Sequence, residues 1–382
     1  MNFDALMRFQ ESLEGVGIAG NDCAVYVDGN PVYRHFAGYQ NRETGEKITD
    51  RTLYRMFSMT KPVVCAAALT LFEQGAFLLS DPVSQYLPEY GEMRVRTYRP
   101  NTDWDEGPAK NALRVQNLFE MTTGLDYDLN TPEIRSLREK TNDQFTTREL
   151  AATIAKKTLR FEPGTHWLYG LSHDVLGALI EVVSGMTLGE YCRKAIFDPL
   201  GMKETWFHAP QSERGRCCQL YTLDQNGRFQ RGEYVNHLQL SKNQESGGAG
   251  LTMTVDDYAR FACMMTNRGV SREGVRILSG RTVDLMRTNR LSDALLRDYR
   301  TGESNEGYGY GLGVRTLMDP AASGSLSAVG EFGWAGAWST YVMMDPANRV
   351  TLVYAEQGGE TVYIHRRLRN IACAALEWEG LI

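Results

Sequence analysis

Apolar and polar residues alternate through CAVYVDGNPVYRHFAGY, residues 23–39, on both sides of Asp28-Gly29. A period of two around such a dipeptide predicts a β-hairpin. Ahead of it, MNFDALMRFQESLEG spaces its apolar residues as an amphipathic first helix would. From about Thr60 to Gly75 the pattern changes, because KPVVCAAALTLFEQG is apolar nearly all round and rich in helix formers. Such a stretch predicts a central helix buried between layers. Between about 80 and 215, segments such as RELAATIAKKTL and DVLGALIEVVSG carry helical periodicity between Pro- and Gly-bearing turns, with little strand signal. Strand patterns return in GYGYGLGVRT, WSTYVMMD and RVTLVYAEQ, the last two joined by the turn residues Asp345-Pro346-Ala347-Asn348. TVYIHRRLRNIACAALEW near the end reads as a second amphipathic helix.

These elements predict an α+β fold. An α/β lobe, residues 1–79 and 216–382, would hold an antiparallel sheet flanked by helices from both chain ends, with residues 80–215 inserted as a mostly helical lobe. A length of 382 residues suits two lobes, since domains average roughly 150 residues. The composition, 42% hydrophobic and 23% charged, is that of a folded water-soluble protein. Lys plus Arg number 41 against 47 Asp plus Glu, a net charge of −6 with the signs interspersed, so no basic footprint for nucleic acid is present. The longest apolar run, Val63 to Phe72 broken only by Thr70, falls short of the ~18 to 20 residues a membrane helix needs. Asp4, Arg8 and Glu11 interrupt what a secretory leader would keep apolar. Seven cysteines without a C-x-x-C suit reduced thiols. A cytoplasmic protein is the expectation, as a monomer or small homo-oligomer, with no nucleic-acid or membrane partner.

Most common catalytic signatures are missing: there is no H-E-x-x-H, no Cys/His cluster at zinc spacing, no P-loop and no G-x-S-x-G. No metal and no cofactor are expected. The glycines from Gly307 to Gly313 miss the dinucleotide-binding spacing and predict a strand packed closely on a neighbour. His35, His166, His173, His208, His237 and His365 are scattered and predict surface or hydrogen-bonded side chains. One pattern differs in kind. In FSMTKP, Ser58 precedes Lys61 by three residues at the mouth of the buried helix, the one Ser in the chain with a Lys at that spacing. Residues i and i+3 share a helical face with Cβ atoms about 5 to 6 Å apart, so the amine can reach the hydroxyl. The helix N-terminus adds positive potential beside a developing oxyanion.

SMTKP, FEPGTHWLYGLSHDVLGALIEVVSG, IFDPLGMKET and SGGAGLTMTVDDYARF together resemble the serine β-lactamase and penicillin-binding superfamily, in the branch of class C β-lactamases and family VIII carboxylesterases. The resemblance runs from about Asp22 to the C-terminus. It implies the β-lactamase/transpeptidase-like fold, with Ser58 as nucleophile, Lys61 as its partner and Tyr169 as general base. A phenol is a base at neutral pH only if nearby positive charge favours the phenolate or Lys61 shares its proton, so Lys61 and Tyr169 should lie close together. The family's third motif, Lys or His then Thr then Gly, has its best counterpart in Trp334-Ala335-Gly336, followed by Ala337. The resemblance implies an oxyanion hole from the backbone N–H groups of Ser58 and Ala337 and a cleft wall at Trp334, Ala335 and Gly336. The resemblance also implies a substrate-binding position at Leu171, which stands where β-lactamases carry an Asn that contacts the substrate amide. Both departures resemble the carboxylesterase branch.

The expectation is a serine hydrolase that cleaves small to medium acyl esters through an acyl-enzyme, with a small-molecule ester as partner. Same-fold alternatives are a β-lactamase, a D-amino-acid peptidase or amidase, and an acyltransferase. A non-catalytic binding relative is disfavoured by the joint presence of Ser58, Lys61 and Tyr169.

Overall fold

The computed structural model describes residues 2–98, 104–233, 236, 238–301, 305–359 and 362–382. In chain order its framing elements are α1 (Asp4–Ser12), β1 (Gly20–Val27), β2 (Asn30–Asn41), β3 (Glu46–Lys47), α2 (Thr60–Glu73), α3 (Ser172–Ser184) and α4 (Val255–Thr266). There follow β4 (Tyr308–Tyr310), β5 (Arg315–Leu317), β6 (Phe332–Gly336), β7 (Thr340–Asp345), β8 (Val350–Glu356) and α5 (Val362–Trp378). The strands form one eight-stranded sheet in the order β4-β5-β6-β7-β8-β1-β2-β3. Every neighbouring pair is antiparallel. The fold is thus mixed α+β.

The turns follow from their residues. Asp28 (φ 52°) and Gly29 (φ 73°) supply the two positive φ angles of a tight hairpin between β1 and β2. The Asp345 carboxylate accepts the N–H groups of Ala347 and Asn348 at 3.1 and 3.2 Å and closes the turn from β7 to β8. The period of two then sorts side chains between the faces of the sheet. Ala24, Val342, Met344, Val353 and Ala355 pack into the main core with α2 and α4. Cys23, Val25, Tyr341, Met343, Leu352 and Tyr354 pack on the opposite face, with Leu6 of α1 and Ile364, Leu368 and Leu376 of α5. Helix α2 is buried from Thr60 to Leu71, as a stretch apolar all round must be.

Residues 80–215 carry helices at Val115–Glu120, Pro132–Thr141, Thr147–Ile154, α3 and Leu188–Cys192. They also hold a hairpin, Arg94–Tyr98 with Trp104–Pro108, that the hydrophobic pattern did not announce. Its strands expose almost every side chain and bury only Val95, so no alternation marks them. The glycine run is a strand only at Tyr308–Tyr310, with Gly307 and Gly313 at positive φ on either side, and it is closely packed: at Gly311 a Cβ would lie 2.1 Å from the Met286 carbonyl oxygen. The seven cysteines are free thiols. Among the described residues no single helix is long and apolar enough to cross a membrane.

Candidate active site

Ser58 sits in a single 3-10 turn, Phe57–Met59, which leads into α2. Phe57 has φ 45°, a strained value for a bulky residue. This turn leaves Ser58 half-buried at the head of a buried helix, while Lys61, three residues on, is 0% exposed. The Lys61 ammonium donates to Ser58 Oγ at 3.1 Å and to the Gly248 carbonyl at 2.8 Å. Its position is therefore fixed from two sides, one of them 187 residues away in the chain.

Tyr169 arrives on the segment before α3, which packs on α2. Lys61 Nζ lies 4.7 Å from the centre of its ring. Trp167 stacks on it at 6.0 Å, and Tyr127 meets it edge-on at 5.4 Å. The Tyr169 oxygen accepts a hydrogen bond from Trp334 Nε1 at 3.0 Å. The ammonium thus stands beside the ring, and the indole N–H meets the oxygen itself. Trp334 is more than a wall.

Strand β6 carries Trp334, Ala335 and Gly336 past the Met56–Ser58 turn. A Cβ on Gly336 would stand 2.3 Å from the Met56 carbonyl, to which Thr340 Oγ1 also donates at 3.1 Å. Only glycine allows this approach. Immediately beyond, Trp338 (φ 58°) and Ser339 (φ 67°) make the sharp turn into β7 that begins at Ala337. Ser58, Tyr169, Trp334, Ala335 and Ala337 then line one cavity of about 290 Å³. Two wider clefts, of about 640 and 500 Å³, contain neither Ser58 nor Tyr169.

Leu171 departs from expectation. It is 1% exposed, belongs to the main core and does not line the cavity. At Gly170 a Cβ would lie 1.9 Å from the Leu125 carbonyl, and this tight passage turns the chain inward before α3 begins.

The remaining cavity wall was not foreseen from the sequence. It includes Arg315, Tyr341, His365 and Arg369, contributed by β5, β7 and α5. Burial pushes the His365 imidazole down to about 3, helped by the Arg315 charge, so it is neutral at physiological pH and pairs with Ser339 Oγ at 2.9 Å. His173 is likewise buried, pushed down to about 3 by burial and then by Lys61, with Nε2 3.2 Å from the Phe119 carbonyl. His35, His166 and His208 stand beside Glu11, Asp298 and Gln239. His237 lies outside the described residues. Tyr127 and the buried Asp174 were also missed. An aromatic in a loop and an acid in a helix's first turn are ordinary in sequence, and only the fold brings them to Lys61. Among the described residues no group of three or more His, Cys, Asp or Glu could hold a metal ion.

Residues 7–376 match the Beta-lactamase family, and the chain belongs to it. It is 32% identical to Protein Rv1367c of Mycobacterium tuberculosis over 84% of this chain and 81% of that protein. It is 28% identical to Esterase EstB of Burkholderia gladioli over 89% of this chain and 86% of that protein. A solved structure of EstCE1, described as a hydrolase with promiscuous acyltransferase activity, superposes with a TM-score of 0.79 at 22% identity, covering 97% of this chain and 98% of the other. The fold is therefore β-lactamase/transpeptidase-like. Family and relatives together support a serine hydrolase or acyltransferase of this fold.

Proposed function

We propose that the protein is a carboxylesterase that cleaves esters of small to medium acyl groups through a Ser58 acyl-enzyme. The observation that carries this reading is the Lys61 ammonium on Ser58 Oγ at 3.1 Å, at the edge of a cavity shared with Tyr169. As the ester carbonyl enters, Tyr169, which starts the cycle as the phenolate, takes the Ser58 proton while Oγ bonds to the carbonyl carbon and the carbonyl π pair moves onto its oxygen. The Ser58 and Ala337 N–H groups face the oxyanion. Collapse breaks the bond to the alkoxide, which regains the proton from Tyr169. Water then repeats the cycle on the acyl-enzyme and releases the acid.

Size and polarity support the substrate class. About 290 Å³ is at the small end of ligand pockets. The Trp334 side chain brings one N–H and no charge where the family's third motif brings Lys or His, and that N–H is already given to Tyr169.

The test is a panel of p-nitrophenyl esters of increasing acyl length, a chromogenic cephalosporin and a D-alanyl amide, run beside Ser58→Ala. Short esters should turn over with a burst, Ser58→Ala should not, and a fluorophosphonate should label the Ser58 peptide by mass spectrometry. A label on another serine, or a preference for the cephalosporin or amide, overturns the reading. Tyr169→Phe and Lys61→Met should each lower kcat by ~10² to 10⁴-fold, the range of acid–base catalysis. Their combination should be little worse than either, because groups acting as a unit are non-additive.

A further inference from the structure

A second charge stands behind Lys61. Asp174, in the first turn of α3, is 4% exposed. Its Oδ1 accepts from Ser246 Oγ at 2.6 Å and from the Gly248 N–H at 3.4 Å, while Oδ2 has no hydrogen-bond partner. The same Gly248 gives its carbonyl to Lys61 Nζ at 2.8 Å. One peptide segment is therefore held by the carboxylate through its N–H and by the ammonium through its C=O. A Cβ on Gly248 would lie 2.7 Å from Asp174 Oδ2 and 3.5 Å from Lys61 Nζ, so the two charges flank one bare α-carbon. That places them within about 6 Å, the range over which opposite charges favour each other's ionised form.

The other titratable groups around this pair are neutral. Burial drives the Cys65 thiol of α2 up and the His173 imidazole of α3 down to about 3. Burial likewise holds the phenols of Tyr127, beside Lys61, and Tyr90, beside Asp174, well above their ordinary range. For Asp174 itself burial holds the carboxyl above the usual carboxylate range, and the Ser246 hydroxyl, the Lys61 charge and the Gly248 N–H offset only part of that rise. Tyr169, with its ring 4.7 Å from Nζ, is a further neighbour among the described residues and faces Lys61 from the cavity side.

We propose that Asp174 is a positioning residue that, through Ser246 and the Gly248 peptide, holds Lys61 as a standing ammonium against Ser58 and Tyr169. This rests on the hydrolase reading above and assigns the two partners different parts. Lys61 supplies a fixed positive charge, and Tyr169 carries the proton. The burial cost of this carboxylate, one of whose oxygens is unpaired, is offset by the cation that it faces.

The experiment measures kcat, KM and the pH–rate profile on one neutral p-nitrophenyl ester for wild type, Asp174→Asn and Ser246→Ala, with thermal melting as the check of folding. Asp174→Asn should lower kcat by ~10 to 100-fold with KM within about threefold, because the lost interaction serves the reacting groups rather than substrate binding. Its alkaline limb should move down by about one to two pH units, since removing the facing negative charge makes the ammonium easier to deprotonate. Ser246→Ala keeps the charge and loses only the hydroxyl that aims it, so kcat should fall by about three- to tenfold with the alkaline limb in place. An unmoved limb in folded Asp174→Asn overturns the proposal even if kcat falls, because a merely structural role predicts that result. If Asp174→Asn does not fold, wild-type kcat in Ser246→Ala overturns it. Turnover by Ser58→Ala would instead remove the hydrolase reading itself, whereas an inactive Ser58→Ala beside an unmoved Asp174→Asn profile removes this inference alone.

Discussion

Trp334 gives its indole N–H to the oxygen that must become a phenolate, at 3.0 Å, and presses its ring against Tyr169 and Tyr310. Trp334→Phe keeps the aromatic packing and removes one donor, so it isolates the hydrogen bond. A bond to a charged acceptor is worth about 1.5 to 3 kcal/mol, and because the cycle starts from the phenolate, losing the donor makes that form scarcer and should lower kcat by roughly 10- to 150-fold where the phenol predominates. Without the donor the phenol is harder to ionise, and the acid limb of the pH–rate profile should move to higher pH. Kinetics across pH 5 to 9 check both effects. A Trp334→Phe enzyme with unchanged kcat and acid limb would leave Trp334 as packing only.

At the scale of elements, the site depends on how closely β6 lies against the turn that carries Ser58. Gly336→Ala would set a Cβ 2.3 Å from the Met56 carbonyl and 2.2 Å from Thr340 Oγ1. The hydroxyl can rotate but the carbonyl belongs to the backbone, so the strand must move and carry the Ala337 N–H with it. Misplacing one oxyanion donor should lower kcat by ~10² to 10³-fold, with a stability loss of about 1 to 3 kcal/mol from overpacking. Activity measured beside urea unfolding checks the pair, and wild-type kcat would mean that Ala337 is not a donor. The elements themselves were legible because each obeys a local rule. Asp28-Gly29 turns a hairpin, and the run from Val63 to Phe72 has no polar face to expose. Ser58 and Lys61 were legible because three residues along a helix is contact. The hairpin at Arg94–Tyr98 and Trp104–Pro108 was not, because exposed strands need no alternation. Leu171 was misjudged for a related reason: nearness to Tyr169 in sequence says nothing of the inward turn at Gly170. Asp174 was invisible because its partners Ser246 and Gly248 lie 72 and 74 residues away.

Across the whole molecule the sheet separates two cores, and each keeps a neutral histidine: His173 beneath α2 and His365 against Tyr341 on the other face. Burial lowers both to about 3, against an ordinary value near 6.5 in the unfolded chain. Between these values the unfolded state binds protons that the folded state refuses, so stability falls as pH drops below about 6.5. At pH 5 each histidine should cost about 2 kcal/mol relative to pH 7 or above. Asp22 works in the opposite sense. Burial pushes its carboxyl up to about 8 in spite of Arg34 at 2.8 Å, so it destabilises the fold as pH rises from the ordinary carboxylate range toward 8. Because these slopes oppose each other, the wild-type curve alone cannot apportion them, and the comparison must be differential. His365→Gln keeps a polar partner for Ser339 and removes the titration. Whatever stability it loses at pH 7, its deficit against wild type should shrink by about 2 kcal/mol at pH 5, measured by urea unfolding at both pH values. A deficit that stays constant would show that His365 takes up its proton alike in the folded and unfolded chain, and that acid reaches the outer core without opening it.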